Sequence, residues 1–216
     1  MIQLAPTILS ADFNILGQQI KELEELNVKW LHIDVMDGDF VPNISFGMPV
    51  IASIRKNTNL FFDVHMMVTE PIRYIEEVAQ CGADLITIHA EACEDCEATL
   101  EKIHNCGCKA GLSIKPNTSV GILEPFLDMV DLVLVMTVQP GMGGQSYIPE
   151  STERIRQVRQ MIHERNLDIE LEVDGGINDE TAQTVIGAGA NILVEGSAIF
   201  KGSLAKNVAH FYERVI

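Results

Sequence analysis

Positive charge is scarce in this chain. Lys and Arg number 15 against 31 Asp and Glu in 216 residues, a formal net charge of −16 with the six His counted as neutral. Such a surface repels nucleic-acid phosphates and anionic lipid heads, so neither nucleic acid nor a membrane is expected as a partner. Long apolar runs are also missing. Nothing approaches the ~20 uninterrupted apolar residues of a bilayer span. The first residues, Met1-Ile2-Gln3-Leu4-Ala5-Pro6, lack a basic region followed by an apolar run, so no secretory signal is expected there. No tract pools the 8 Pro and 16 Gly into a linker, and no block of like charge is long enough for a tail. One domain over residues 1–216 is therefore expected. Five Cys, an odd count in a chain too large to need staples, point to reduced thiols and a cytoplasmic setting. The chain does have 47% hydrophobic residues, enough for a sizeable core and far from a disordered composition.

The hydrophobic texture alternates. Short β-branched runs predict strands at Gln3–Leu9, Trp30–Val35, Leu60–Met66, Leu85–His89, Ala110–Ile114, Leu132–Thr137, Ile169–Val173 and Ile192–Val194. Stretches of helical period follow at Ile15–Leu26, Pro49–Lys56, Pro71–Cys81, Cys96–Asn105, Val120–Phe126, Ser151–Arg165, Glu180–Ala188 and Ala205–Val215. The fifth is the weakest, being short and interrupted by Pro125. Asp12 or Asn14 is predicted to cap the first helix and Asp179 the seventh. Strands that are apolar without clean alternation are covered on both faces, as in a parallel sheet. Eight strand–helix units close such a sheet into a (β/α)8 TIM barrel, with an open doubly wound sheet as the rival.

Chemistry in such a barrel sits at the C-terminal ends of the strands. Strand alternation puts His32, Asp34 and Met36 on one face, and His65 with Met67 on another. The seventh strand ends at Asp174 and the sixth near Met136. Buried carboxylates are costly unless paired or metal-bound. Two imidazoles and two carboxylates converging over the mouth predict acid–base work or a site for Zn2+ or a similar divalent ion. Met36, Met67 and Met136 would form an apolar collar there, or simply fill core gaps. Glycine-rich turns follow the sixth, seventh and eighth strands, at Gly141-Met142-Gly143-Gly144, Gly175-Gly176 and Gly196-Ser197. Turns at these places suit a phosphate held by peptide N–H groups, without Lys or Arg. There is no Lys at the end of the sixth strand for a Schiff base, no G-x-S-x-G elbow and no P-loop. Cys93-x-x-Cys96 with Cys106-x-Cys108 imitates a zinc site, but its place on the fourth helix marks the thiols as structural.

Several segments together resemble the ribulose-phosphate 3-epimerase family. They are Ala5-Pro6-Thr7-Ile8-Leu9-Ser10-Ala11-Asp12-Phe13, His32-Ile33-Asp34-Val35-Met36-Asp37-Gly38, Asp63-Val64-His65-Met66-Met67-Val68, Met136-Thr137-Val138, Pro140-Gly141, Gly143-Gly144-Gln145 and Glu172-Val173-Asp174-Gly175-Gly176-Ile177. The resemblance runs in order over essentially the whole chain. It implies a (β/α)8 barrel that interconverts D-ribulose 5-phosphate and D-xylulose 5-phosphate at carbon 3 through a cis-enediolate. It implies one divalent metal per subunit, Zn2+ first, with Fe2+, Mn2+ or Co2+ as alternatives, on His32, Asp34, His65 and Asp174. Asp34 and Asp174 match the acid/base pair. Ser10 and His65 match substrate contacts. Gly141 to Gly144, Asp174 to Gly176, and Gly196 with Ser197 match the phosphate grip, and the three methionines match the collar. A small-molecule sugar phosphate is the expected partner, with no organic cofactor, in a homo-oligomer. Asp39 stands where the family commonly has His, Met142 where it has Phe, and Met66 where it often has Leu. Other readings are a D-allulose 6-phosphate 3-epimerase, a barrel that binds metal and sugar phosphate without turnover, and an acidic scaffold.

Overall fold

The computed structural model describes residues 2–215. Eight parallel strands are paired in the order β1-β8-β7-β6-β5-β4-β3-β2. They are β1 (Gln3–Pro6), β2 (Trp30–Met36), β3 (Phe61–Met67), β4 (Leu85–His89), β5 (Lys109–Ile114), β6 (Leu132–Met136), β7 (Glu170–Asp174) and β8 (Ile192–Glu195). A parallel bridge between Thr7 and His32 joins the two ends of the order, so the sheet closes as a TIM barrel. Around it run α1 (Leu16–Glu25), α2 (Met48–Arg55), α3 (Ile75–Gln80), α4 (Cys96–Asn105), α5 (Ser151–Glu164), α6 (Ala182–Ala188), α7 (Ser197–Phe200) and α8 (Leu204–Val215).

Several predicted boundaries shift for local reasons. The first strand stops at Pro6, because Thr7 turns the chain into a 3-10 turn over Ile8–Ser10 and accepts the Leu9 N–H. The segment from Pro71 splits into a 3-10 turn, Pro71–Arg73, and α3, with Glu70 in the left-handed region before it. The fifth helical stretch is a 3-10 helix, Val120–Met129, with Pro125 inside it; proline removes a helix donor and clashes with the preceding turn. The predicted caps fail at α1 and α6, where Ile15 and Thr181 occupy the cap positions without a side-chain bond. Asp12 instead accepts the Asn14 N–H in a local turn.

Alternation along each strand separates two cores. Outward residues such as Leu31, Ile33, Phe62, Val64, Ile86, Ile88, Val133 and Val173 pack under the helices. Inward Ala5, Leu85, Leu132, Leu134, Met136, Ile192 and Val194 fill one side of the barrel. Trp30 and Phe61 stack nearby with ring centroids 4.4 Å apart, one at the start of each of two paired strands. Other inward positions of β2, β3, β4, β5 and β7 carry His32, Asp34, Asp63, His65, Thr87, His89, Ser113 and Glu172, all buried, and Asp174. Burying that many polar groups costs free energy unless they satisfy one another, so this side of the barrel marks the site.

Candidate active site

The register of β2 against β3 sets the first half of the site. His32 pairs with Asp63, Asp34 with His65, and Met36 with Met67. Each histidine therefore faces a carboxylate across the strand boundary. On the other side, β6 and β7 pair Met136 with Asp174. Asp34 Oδ1 lies 3.0 Å from His65 Nδ1 and 3.3 Å from His32 Nε2. His65 Nδ1 lies 4.0 Å from Asp174 Oδ2. One ligand atom from each of His32, Asp34, His65 and Asp174 lies within 4.8 Å of the others.

The chemistry of these donors fits a divalent transition metal. His32 Nδ1 lies 2.5 Å from Asp63 Oδ2, which assigns the ring's Nδ1–H to that carboxylate. The opposite nitrogen, Nε2, is buried and has no hydrogen-bond partner. It faces a carboxylate and a second imidazole. A set of two imidazole nitrogens and two carboxylate oxygens is one that zinc and its neighbours accept.

The electrostatics divide the two aspartates. Burial pushes Asp34 upward, but the His32 and His65 rings outweigh it and hold its carboxyl well below the usual range. Its Oδ2 accepts the Thr7 hydroxyl at 2.5 Å. Burial and the charge of Asp34 raise Asp174 to about 6. One carboxylate thus stays ionised while the other holds a proton readily. Burial pushes His32 down, yet Asp63, Asp34 and Glu172 beside it prevail and raise it well above 6.5. Glu172 is raised by its own burial and by Asp63. His89 is lowered to about 4, chiefly by burial.

A cavity of about 460 Å³ opens over the two aspartates. Met36, Met67 and Met136 line it, each buried. Ser10, Gly141, Met142, Gly143, Gly144, Gly175, Gly176, Gly196 and Ser197 line it as well. The turn after β7 requires glycine: Gly175 has φ +116°, with Val138 2.3 Å from where a Cβ would lie, and Gly176 has φ +67°, with the Tyr147 backbone N at 2.3 Å. Met142 stands exposed at the rim. His65, expected also to touch substrate, is fully buried and is not among the lining residues. Asp39 lies outside the lining, where it accepts the Thr69 hydroxyl, and Met66 points outward into the helix-facing core. The five cysteines are free, and none belongs to a group of three or more ligand-bearing side chains among the described residues.

Sequence reasoning did not single out Thr7, Asp63, Glu172 or His89. Asp63 and Glu172 stand two residues before His65 and Asp174, so the same strand parity that selected the candidate ligands also reaches them. Thr7 carried no such signal, since it lies beyond the end of β1. Lys201, also unassigned, is the one cationic side chain among the lining residues.

Residues 3–200 match the model of the ribulose-phosphate 3 epimerase family. The ribulose-phosphate 3-epimerase of Bacillus subtilis is 49% identical over 201 residues, covering 93% of each chain. That of Synechocystis is 48% identical, covering 92% of this chain and 87% of its own. The chloroplastic enzyme of Arabidopsis thaliana is 44% identical, covering 92% of this chain and 72% of its own. Among solved structures, the 3-keto-L-gulonate-6-phosphate decarboxylase of Vibrio cholerae superposes with a TM-score of 0.72 at 17% identity, over 99% of this chain and 96% of that one; this likeness concerns the fold alone. At such identity over nearly its whole length, the chain belongs to the ribulose-phosphate 3-epimerase family.

Proposed function

We propose that this isomerase inverts carbon 3 of D-ribulose 5-phosphate to give D-xylulose 5-phosphate, and the reverse, in the cytoplasm. The observation that carries the reading is the gathering of His32, Asp34, His65 and Asp174 within 4.8 Å beneath one cavity. Curated relatives of the same name support the substrate.

Carbon 3 of a 2-ketose lies beside the carbonyl, so its proton is acidic enough to be removed by a positioned base. Asp34, held ionised by the two imidazoles, accepts that proton. Asp174, which keeps a proton to about pH 6, supplies one to the other face of the planar enediolate. In the opposite direction the two exchange roles. Thr7 fixes the Asp34 carboxylate through Oδ2. The Thr137 hydroxyl donates to the Asp174 and Gly175 carbonyls at 2.8 and 2.5 Å, fixing the turn that carries Asp174.

His32, Asp34, His65 and Asp174 would hold the divalent ion, with zinc the first choice. When bound, it supplies Lewis-acid stabilisation of the negative charge that develops on the sugar oxygens, worth several kcal/mol. The methionine collar keeps water from the reacting carbon. Peptide N–H groups of the Gly141–Gly144, Gly175–Gly176 and Gly196–Ser197 turns take the phosphate, beside Lys201. Binding energy from the phosphate orients a centre several bonds away. Self-association belongs to the same reading and is checked by sedimentation velocity.

The deciding experiment couples ribulose 5-phosphate turnover to metal analysis of the same sample. Turnover that scales with about one divalent ion per chain supports the reading. Turnover by rigorously metal-free protein excludes the metal's part in it, and binding of sugar phosphate without turnover establishes a sensor instead.

A further inference from the structure

Beyond the four ligand-bearing residues, a line of hydrogen bonds continues from His65 toward the loops after β4 and β5. His65 Nε2 lies 2.9 Å from His89 Nε2, and both rings are fully buried. His89 Nδ1 lies 3.3 Å from Glu91 Oε2. The other oxygen of Glu91, Oε1, accepts the Lys115 N–H at 2.7 Å and the Thr118 hydroxyl. Arg154 holds that loop in place by donating to the carbonyls of Thr118 and Lys115, at 2.6 and 2.9 Å.

Counting protons sets the direction of this line. Two ring nitrogens at hydrogen-bond distance share one proton. Glu91 offers only an acceptor at Oε2, so the proton of a neutral His89 resides on Nδ1. His89 Nε2 is then a bare acceptor, and His65 Nε2 is the donor once the ion, in place of a proton, stands between His65 Nδ1 and Asp34 Oδ1, 3.0 Å apart. The His65 nitrogen left for the centre is Nδ1, the one that faces Asp34 and Asp174.

We propose that Glu91, acting through His89, holds the proton of His65 on Nε2 and so aims its Nδ1 lone pair at the divalent ion. Glu91 and His89 are positioning residues; neither touches the reacting atoms. The inference deepens the reading of the centre given above and rests on it. A buried partner that fixes the tautomer of a ligating histidine is the usual means of orienting such a ring. Here the partner is a second histidine, and the charge that directs it lies one residue further out.

Glu91→Gln tests the assignment with almost no change of shape. The Lys115 N–H and the Thr118 hydroxyl keep the amide oxygen on their side, so the new NH2 group faces His89 Nδ1. His89 must then carry its proton on Nε2, and the proton of His65 moves to Nδ1, where it competes with the ion. Long-range 1H–15N spectra of histidine-labelled protein, zinc-loaded and metal-free, read the tautomer of His89. Competition with a chromogenic chelator reads the zinc affinity. The expected result is Nδ1–H on His89 in the wild type, Nε2–H in Glu91→Gln, and zinc binding weakened roughly 10- to 100-fold. Nε2–H on His89 in the wild type overturns the proposal, even should the variant fail to fold. So does a tautomer unmoved in the variant, or one that moves with no loss of affinity. A wild type with Nδ1–H on His89 that binds no zinc overturns the metal centre while upholding the tautomer.

Discussion

His32 Nδ1 and Asp63 Oδ2 meet at 2.5 Å inside the barrel, and neither side chain is exposed to solvent. The bond turns the opposite ring nitrogen toward Asp34 and leaves it without a hydrogen-bond partner. Asp63 is therefore the group that orients the His32 ring, the part proposed above for His89 toward His65. Glu172, 3.4 Å from the same Nδ1, adds a second buried carboxyl beneath the ring.

Replacing Asp63 by Asn tests that orientation. The amide keeps the volume but removes the charge that holds the Nδ1 proton. Zinc affinity is expected to fall roughly 10- to 100-fold, with an unchanged far-ultraviolet dichroism spectrum. Calorimetric titration of the metal-free variant measures it. Affinity equal to the wild type would remove Asp63 from the account.

Asp34→Asn and Asp174→Asn each remove one proposed acid/base group and one proposed ligand atom. Each is expected to lower the exchange of the carbon-3 proton with deuterated solvent by roughly 10²-fold or more while the fold persists. Either variant retaining wild-type exchange, followed by NMR, would show that its carboxyl carries no proton in the reaction.

Zinc affinity is expected to rise with pH. A cation and a proton compete for each ligand. His32 is held protonated well above its ordinary value, so the ion displaces its proton near neutrality. Below about pH 6 Asp174 is protonated as well, and a second proton must leave. The slope of log affinity against pH should therefore steepen from about one proton per ion to about two on going below pH 6. A flat profile between pH 5 and 8 would contradict the assignment of these ligands.

Gly176→Ala probes the phosphate turn. The left-handed φ and the close Tyr147 backbone leave no room for a methyl group, so the turn must move. KM for ribulose 5-phosphate is expected to rise, and kcat/KM to fall roughly 10-fold or more, since a small misplacement at the binding end costs orientation at the reacting end. Unchanged kinetics would separate this turn from substrate binding. The same assay run with D-allulose 6-phosphate compares the two sugars.

Much of this protein is readable from its residues in order. Alternation puts His32, Asp34 and Met36 on one face whatever the strand packs against, and the scarcity of clean amphipathic strands already implies a sheet covered on both sides. The chain's own punctuation also announces turns: Gly189 ends α6 with φ +114°. Local periodicity cannot say which strand lies beside which. That decision sets His32 opposite Asp63 and Asp34 opposite His65, and it brings β7 round to place Asp174 4.0 Å from His65. The directions of the protons on His32, His65 and His89 likewise follow from partners between 24 and 31 residues away in the chain, or from a Glu91 fixed by the β5 loop. Residue types and their spacing determined the fold class and which side chains are candidate ligands. Only closure of the barrel decided how their charges and lone pairs face one another, because those energies depend on distances across strands that no sequence interval encodes.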